Sequence, residues 1–200
     1  MKKIIFATGN KNKMVEIRQI LAGLNAEILS MKDAGISVDI VEDGSTFEEN
    51  ARIKARAVFQ AAGGNAIVLA DDSGLEIDYL GGEPGIYSAR YLGEDTSYTV
   101  KNQALLDRLK GVEKAERTAR FVCAIAAVFP DGQEVVKRGT IEGYIGDKPA
   151  GSNGFGYDPI FYVDEIGCST AELSPEQKNA LSHRGNALRA IYGELEMRIS

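Results

Sequence analysis

Asp71 and Asp72 stand side by side directly after the apolar run Ala66-Ile67-Val68-Leu69-Ala70 and directly before Ser73-Gly74. Adjacent carboxylates repel one another, so the pair calls for a compensating cation, and hard oxygen donors of this kind suit Mg2+. One of the two can hold a metal or accept a proton from water. The same residues also suit the start of a turn. Glu42, in an irregular segment ahead of a helical run, can complete a metal shell, although taken alone it reads as a solvated loop residue. Lys54 is equally plain by itself, but Asn50 lies one turn before it, so the two can share a helix face.

A second constellation, Thr8-Gly9-Asn10-Lys11-Asn12-Lys13, lies between an apolar strand and an amphipathic helix. Gly9 allows close backbone approach, and a helix N-terminus presents unpaired N–H groups and a partial positive charge, which suits phosphate. The Walker A spacing is missing. Farther on, Gly154-Phe155-Gly156-Tyr157-Asp158 sets aromatic rings among glycines. Such a loop can stack a planar base while its backbone binds the base edge, or it can be a turn whose rings pack in the core. His183, the single histidine, falls in Ser182-His183-Arg184-Gly185. One histidine gives no histidine metal cluster and, unsupported, no Ser-His-Asp triad. His183 and Arg184 read instead as hydrogen-bonding partners of a ligand, with Lys178 adding positive charge.

Positioning these side chains falls to alternating strands and helices. Residues 3–7 read as a buried strand, and Met14, Ile17, Ile20, Leu21 and Leu24 then follow a helical period, so residues 8–13 are expected as the connecting loop. Residues 26–30 form a second strand, and residues 31–44 are irregular. Thr46-Phe47-Glu48-Glu49 is a capping box, Thr46 capping and Glu49 reaching back, ahead of a helix stopped by Gly63-Gly64. Residues 66–70 suit a strand covered on both faces and ending at Asp71, with residues 75–80 as a separate strand.

Residues 81–92 read as a long loop lining a site or a subunit interface. A helix then opens at Thr96 or Ser97 with Val100, Leu105, Leu106 and Leu109 on its buried side. Residues 119–129 and 134–145 are strands joined by the hairpin signal Pro130-Asp131-Gly132-Gln133, and residues 160–163 form a further strand. Ser174-Pro175-Glu176-Gln177 opens a capped helix, and the last helix gathers Leu188, Ile191, Tyr192, Leu195 and Ile199 on one face. The pattern is α/β with a mixed sheet.

Two hundred residues suit one domain or two intimate lobes. A net charge of -6 argues against a broad nucleic-acid-binding face, though lysines and arginines can still converge on a small polyanion. Cys123 and Cys168 make neither a metal cluster nor a disulfide framework, and read as reduced thiols of a cytoplasmic protein. No apolar run approaches the ~18 residues of a membrane span, and no signal-peptide core precedes the first strand.

Taken together, the segments resemble the noncanonical purine nucleoside triphosphate pyrophosphatases, the inosine triphosphatase family or Ham1/RdgB-like dITP/XTP diphosphatases. The likeness runs through Thr8-Gly9-Asn10-x-x-Lys13, Thr46-Phe47-x-Glu49-Asn50-Ala51 with Lys54-Ala55, and Ala70-Asp71-Asp72-Ser73-Gly74-Leu75. It continues in Gly81-Gly82-x-Pro84-Gly85-Ile86-Tyr87-Ser88-Ala89-Arg90, Gly154-Phe155-Gly156-Tyr157-Asp158-Pro159, Ala171-Glu172-Leu173 and Ser182-His183-Arg184-Gly185. Each is modest; their order along nearly the whole chain is specific.

The resemblance implies one inosine triphosphatase-like domain over residues 1–200: an elongated mixed α/β sheet flanked by helices, two lobes with a central cleft, and a homodimer. It implies Mg2+-dependent hydrolysis of ITP, dITP and XTP to the monophosphate and pyrophosphate, cleansing the nucleotide pool. Carried over motif by motif, Thr8, Gly9, Asn10, Lys11, Asn12 and Lys13 hold the phosphates, Lys13 and Lys54 neutralise them, and Asp72 is the general base. By the same resemblance Glu42 and Asp72 would be the metal carboxylates, and Ser73 would touch the substrate. Phe155, Gly156, Tyr157, Asp158, Lys178, His183 and Arg184 take the nucleotide, chiefly its base and sugar. Donors facing the 6-oxo group of hypoxanthine or xanthine would reject the 6-amino group of adenine; His183 and Arg184 are the candidates. A Maf-like pyrimidine nucleotide pyrophosphatase and a non-hydrolytic nucleotide-binding module are the competing readings.

Overall fold

The computed structural model describes residues 2–199, and its sheet runs in the order β2-β1-β3-β4-β5-β6-β7. β1 (Lys2–Phe6) pairs in parallel with both β2 (Ala26–Ser30) and β3 (Ile67–Ile77). Ile4, Ile5 and Phe6 are buried, as a short apolar strand inside an α/β sheet must be. β4 (Thr118–Val128) and β5 (Glu134–Ile145) flank the turn at Pro130, while β6 (Phe161–Val163) and β7 (Cys168–Ser169) extend the sheet by antiparallel pairing. The sheet is therefore mixed.

Contacts divide the chain into two compact units. The first holds residues 1–72, 123–139 and 183–200, the second residues 73–122 and 140–182. In the first, β1 and β3 pack against α1 (Lys11–Ile20) and α5 (His183–Ile199) through Phe6, Met14, Ile17, Leu21, Leu69, Leu188 and Ile191. Fully burying one such side chain is worth ~2–3 kcal/mol. In the second, α3 (Tyr98–Arg108) packs Leu105 and Leu106, with Leu109 beyond its end, onto Leu75, Ile77, Phe121 and Phe161. Among the described residues, no helix is long and apolar enough to cross a membrane.

Several local expectations need correction. β3 is one strand straight through Asp71, Asp72 and Ser73, so the acidic pair neither ends a strand nor starts a turn. Paired cations let the carboxylates stay in the pleat. α1 starts at Lys11 rather than near Met14, because Asn10 is its N-cap: the Asn10 side chain accepts from the Asn12 and Lys13 amides. α2 (Phe47–Ala61) is capped by Thr46, but Glu49 reaches Ser45 instead of closing the box on Thr46. Val100 points outward, since the buried stripe of α3 runs through Lys101, Asn102, Leu105 and Leu106. A 3-10 turn, Gly85–Arg90, sits inside the expected 81–92 loop. The strand foreseen at residue 160 starts at Phe161 after another 3-10 turn, and α4 (Pro175–Leu181) ends at an extended Ser182 before α5 begins.

Candidate functional site

Because side chains alternate across a strand, Asp71 and Asp72 face opposite sides of β3. Asp71 follows Ile67 and Leu69 onto the side packed by α1 and α5. There its carboxylate takes an ion pair from Lys13 Nζ at 3.0 Å and a contact from the Arg184 guanidinium at 3.3 Å. Arg184, the second residue of α5, also pairs with Glu16 of α1. Asp71 is wholly buried, which raises a carboxyl pKa, but Lys13, Arg184 and Lys54 overcome that and hold it well below the usual range. Lys13 thus reaches Asp71 from the first turn of α1, and Arg184 does so from the first turn of α5.

Asp72 meets α2 on the other side. Its Oδ1 accepts from Lys54 Nζ at 3.2 Å and its Oδ2 from Asn50 Nδ2 at 3.2 Å. The four-residue spacing of Asn50 and Lys54 delivers both to one carboxylate. Lys54 Nζ also donates to Glu42 Oε2 at 2.8 Å, and Asn50 Oδ1 accepts from the Gly44 amide, pinning the segment before α2. Burial raises the Asp72 pKa, and the opposing pull of Lys54 does not cancel it. The same burial works against charge on Lys54, yet Asp72, Asp71 and Glu42 keep its ammonium above the usual range.

The phosphate-loop candidates gather beside these groups in the first unit. Thr8 Oγ1 accepts from the Asn10 amide at 3.1 Å, and a Cβ placed on Gly9 would meet nothing within 4 Å. Two of the helix amides offered to an anion are occupied by Asn10, so Lys13 and the open backbone at Gly9 are what this turn presents. His183 opens α5 and is buried.

The second unit holds the other group. Asp158 is buried and receives Lys178 Nζ at 2.6 Å and the Phe155 amide at 2.9 Å on Oδ2, with the Thr170 hydroxyl at 2.9 Å on Oδ1. Lys178 Nζ lies 4.8 Å from the centre of the Phe155 ring. Tyr157 is a core residue whose hydroxyl donates to the Ser88 carbonyl at 2.6 Å, whereas Phe155 stays part-exposed. Asn102 Nδ2 donates to the Gly156 carbonyl. Ser73, next to Asp72 in sequence, is the first residue of this unit. Separately, a pocket of about 640 Å³ lined by Lys2, Lys3, Phe129 and Arg198 lies at the start of β1 and β3, the end of those strands away from Asp71 and Asp72.

A model of the Ham1 family matches residues 4–193. The chain belongs to the Ham1 family. It is 46% identical over 200 residues to a Clostridium perfringens protein named dITP/XTP pyrophosphatase, covering 98% of both chains. A Bacillus subtilis protein of the same name is 46% identical over 196 residues, again with 98% of each covered. Among solved structures, the Staphylococcus aureus Ham1 protein superposes with a TM-score of 0.86 at 43% identity, covering 98% of this chain and 99% of its own.

In this Ham1-family chain, sequence reading did not single out Glu16. Its only signal was an acid three residues after Lys13, set between the buried Met14 and Ile17. A carboxylate placed so needs a cation, and Arg184, 168 residues away, supplies it. Residue type and spacing did not separate Asp71 from Asp72, which only the resemblance distinguished by giving the base and metal roles to Asp72; the pleat of β3 gives the two different surroundings. Among the described residues, no group of three or more His, Cys, Asp or Glu gathers as a metal-binding cluster.

Proposed function

We propose that this chain hydrolyses noncanonical purine nucleoside triphosphates, namely ITP, dITP and XTP, to the monophosphate and pyrophosphate, with Mg2+. The observation that carries the chemistry is the division of surroundings across β3: Asp71 is taken up by Lys13 and Arg184, while Asp72, oriented by Asn50 and sharing the Lys54 ammonium with Glu42, is the carboxylate assigned to the metal and the attacking water. Membership of the family and relatives named dITP/XTP pyrophosphatase support the substrate class.

The donor set fits a hard divalent cation, because Glu42 and Asp72 already converge on a positive charge, the Lys54 ammonium. Two carboxylates suffice for Mg2+, which commonly completes its shell with water and substrate phosphates. Glu42 and Asp72 would hold Mg2+, which when bound would supply charge neutralisation and polarisation at the phosphates. Lys13 and Lys54 add positive charge against a triphosphate tail carrying about four negative charges, so the rate gain is electrostatic. Gly9 leaves room for the phosphates to approach the backbone. Asp72 takes the proton from the water that attacks the α-phosphorus, the α–β bridging bond breaks, and pyrophosphate leaves. Arg184, fixed by Glu16, holds Asp71 and the first turn of α1 in place, and with His183 is assigned to donors selecting a 6-oxo purine. Phe155, Gly156, Tyr157, Asp158 and Lys178 are assigned to the base and sugar: Phe155 offers a ring face, and the Lys178–Asp158 pair sets its orientation.

Incubation with Mg2+ and ITP, dITP, XTP, ATP, GTP or dTTP, followed by product identification, tests this. IMP with pyrophosphate is expected from ITP, and far slower turnover of ATP and GTP. TMP from dTTP as the main product, a diphosphate with orthophosphate, or binding without turnover would each overturn the reading. The cytoplasm, where nucleotide pools and reduced thiols coexist, is the compartment this activity implies.

A further inference from the structure

Lys54 makes its two ion pairs where the proposed metal carboxylates meet, with Nζ 2.8 Å from Glu42 Oε2 and 3.2 Å from Asp72 Oδ1. Its side chain is 11% exposed, as is that of Asp72. We propose that the Lys54 ammonium is an internal counter-ion that closes the metal position in the nucleotide-free protein, so that divalent cation and nucleotide are taken up together. The inference rests on the reading of Glu42 and Asp72 as the metal carboxylates.

Oxygen ligands approach Mg2+ to about 2.0–2.1 Å, closer than either carboxylate now stands to Nζ. A cation held by both Glu42 Oε2 and Asp72 Oδ1 would occupy the space between them that the ammonium now fills, and two cations cannot share it. Lys54 must withdraw. Without nucleotide, withdrawal strands an ammonium in a largely buried position away from its counter-charges, which is strongly unfavourable. A triphosphate tail changes that balance by offering phosphate oxygens to the displaced ammonium. Asn50 keeps Asp72 in position throughout, since it holds Oδ2 while Lys54 holds Oδ1. The coupling is reciprocal: nucleotide tightens the cation by the factor by which the cation tightens nucleotide.

Mn2+ binding, followed by the loss of the free-ion paramagnetic resonance signal, reads this without turnover. Wild type, Lys54→Met and Lys54→Gln are titrated with and without an α,β-imido ITP analogue, each variant checked for native circular dichroism. Wild type should bind Mn2+ weakly alone and at least about tenfold more tightly with the analogue, a difference of about 1.4 kcal/mol. At least one Lys54 variant should bind nucleotide-free Mn2+ about tenfold more tightly than wild type, and gain less from the analogue. Equal nucleotide-free affinities in wild type and both variants would overturn the proposal. Glu42→Gln separates the two layers. If it weakens analogue-supported Mn2+ binding while neither Lys54 variant tightens nucleotide-free Mn2+ binding, only the counter-ion role falls. If it changes nothing, the metal reading falls and the proposal with it.

Discussion

At the scale of single residues, adjacent aspartates carry opposite burdens. Asp72→Asn keeps the shape and the Lys54 contact but removes the proton acceptor. A general base contributes about 10²–10⁴ in rate, so kcat should fall by at least roughly that factor, with the fold retained and KM for ITP raised as well, since Asp72 is also one of the two proposed metal carboxylates. Near-normal turnover in steady-state assays would dismiss Asp72 as the base. Asp71→Asn should fail differently. Its carboxyl titrates below its unfolded value of 3.8, because Lys13, Arg184 and Lys54 outweigh the cost of burial. A depressed folded pKa gives stability that is present above the unfolded value and is lost as pH falls through the folded one. Removing the carboxylate leaves Lys13 and Arg184 short of counter-charge, a loss of about 3 kcal/mol near neutrality. Metal-free denaturant melts at about pH 7 and about pH 3 should show that gap narrowing with acid. A gap independent of pH would deny Asp71 this role.

At the scale of elements, the two glycine loops differ in what their glycines are for. Gly154 has φ +70°, and a Cβ there would collide with Asp158 Oδ2 and press on Lys178 Nζ. Gly154→Ala adds backbone strain of about 1–2 kcal/mol and disturbs the pair beside Phe155, so KM for ITP should rise about tenfold with a lowered melting temperature. Gly9→Ala, with nothing for its Cβ to touch, should leave stability within about 0.5 kcal/mol while raising KM. If Gly9→Ala left KM unchanged, close phosphate approach at that turn would be wrong. Such loops were legible in sequence because glycine, capping and aromatic residues act locally. The caps at Thr46 and Ser174, the strand at residue 134 and the apolar face of α5 were readable for the same reason. What escaped depends on distant partners. β3 continues through two aspartates only because lysines from α1 and α2 and an arginine from α5 arrive there, and Glu16 gains meaning only from Arg184.

At the scale of the whole molecule, a chain of net charge -6 must still attract a polyanion. In the reading proposed above, Mg2+ with Lys13 and Lys54 would supply that attraction locally, because without the metal Lys13, Lys54 and Arg184 are already matched by Asp71, Asp72, Glu42 and Glu16. A homodimer is the expected assembly, and the second unit offers a surface on which to test it. Tyr79, Tyr87, Leu92, Tyr98 and Val100 are all more than a third exposed, although large apolar groups generally avoid water. They fall within one stretch of sequence, in and around the 3-10 turn Gly85–Arg90, and Tyr98 packs edge-on against Tyr157 behind it at 5.2 Å. Covering these side chains with the same residues of a second copy is a self-complementary, two-fold solution. Light scattering on the eluted protein should therefore give about twice the chain mass of 21.6 kDa. Tyr87→Glu places a charge among these side chains and leaves Lys13, Lys54, Asp71 and Asp72 as they are, and should shift the mass to that of one chain. A monomeric wild type, or a Tyr87→Glu protein still at twice the chain mass, would place the contact elsewhere or remove it. If Tyr87→Glu is monomeric and its KM for ITP also rises, the path from this surface through Tyr98 and Tyr157 to Phe155 would connect assembly with recognition of the base.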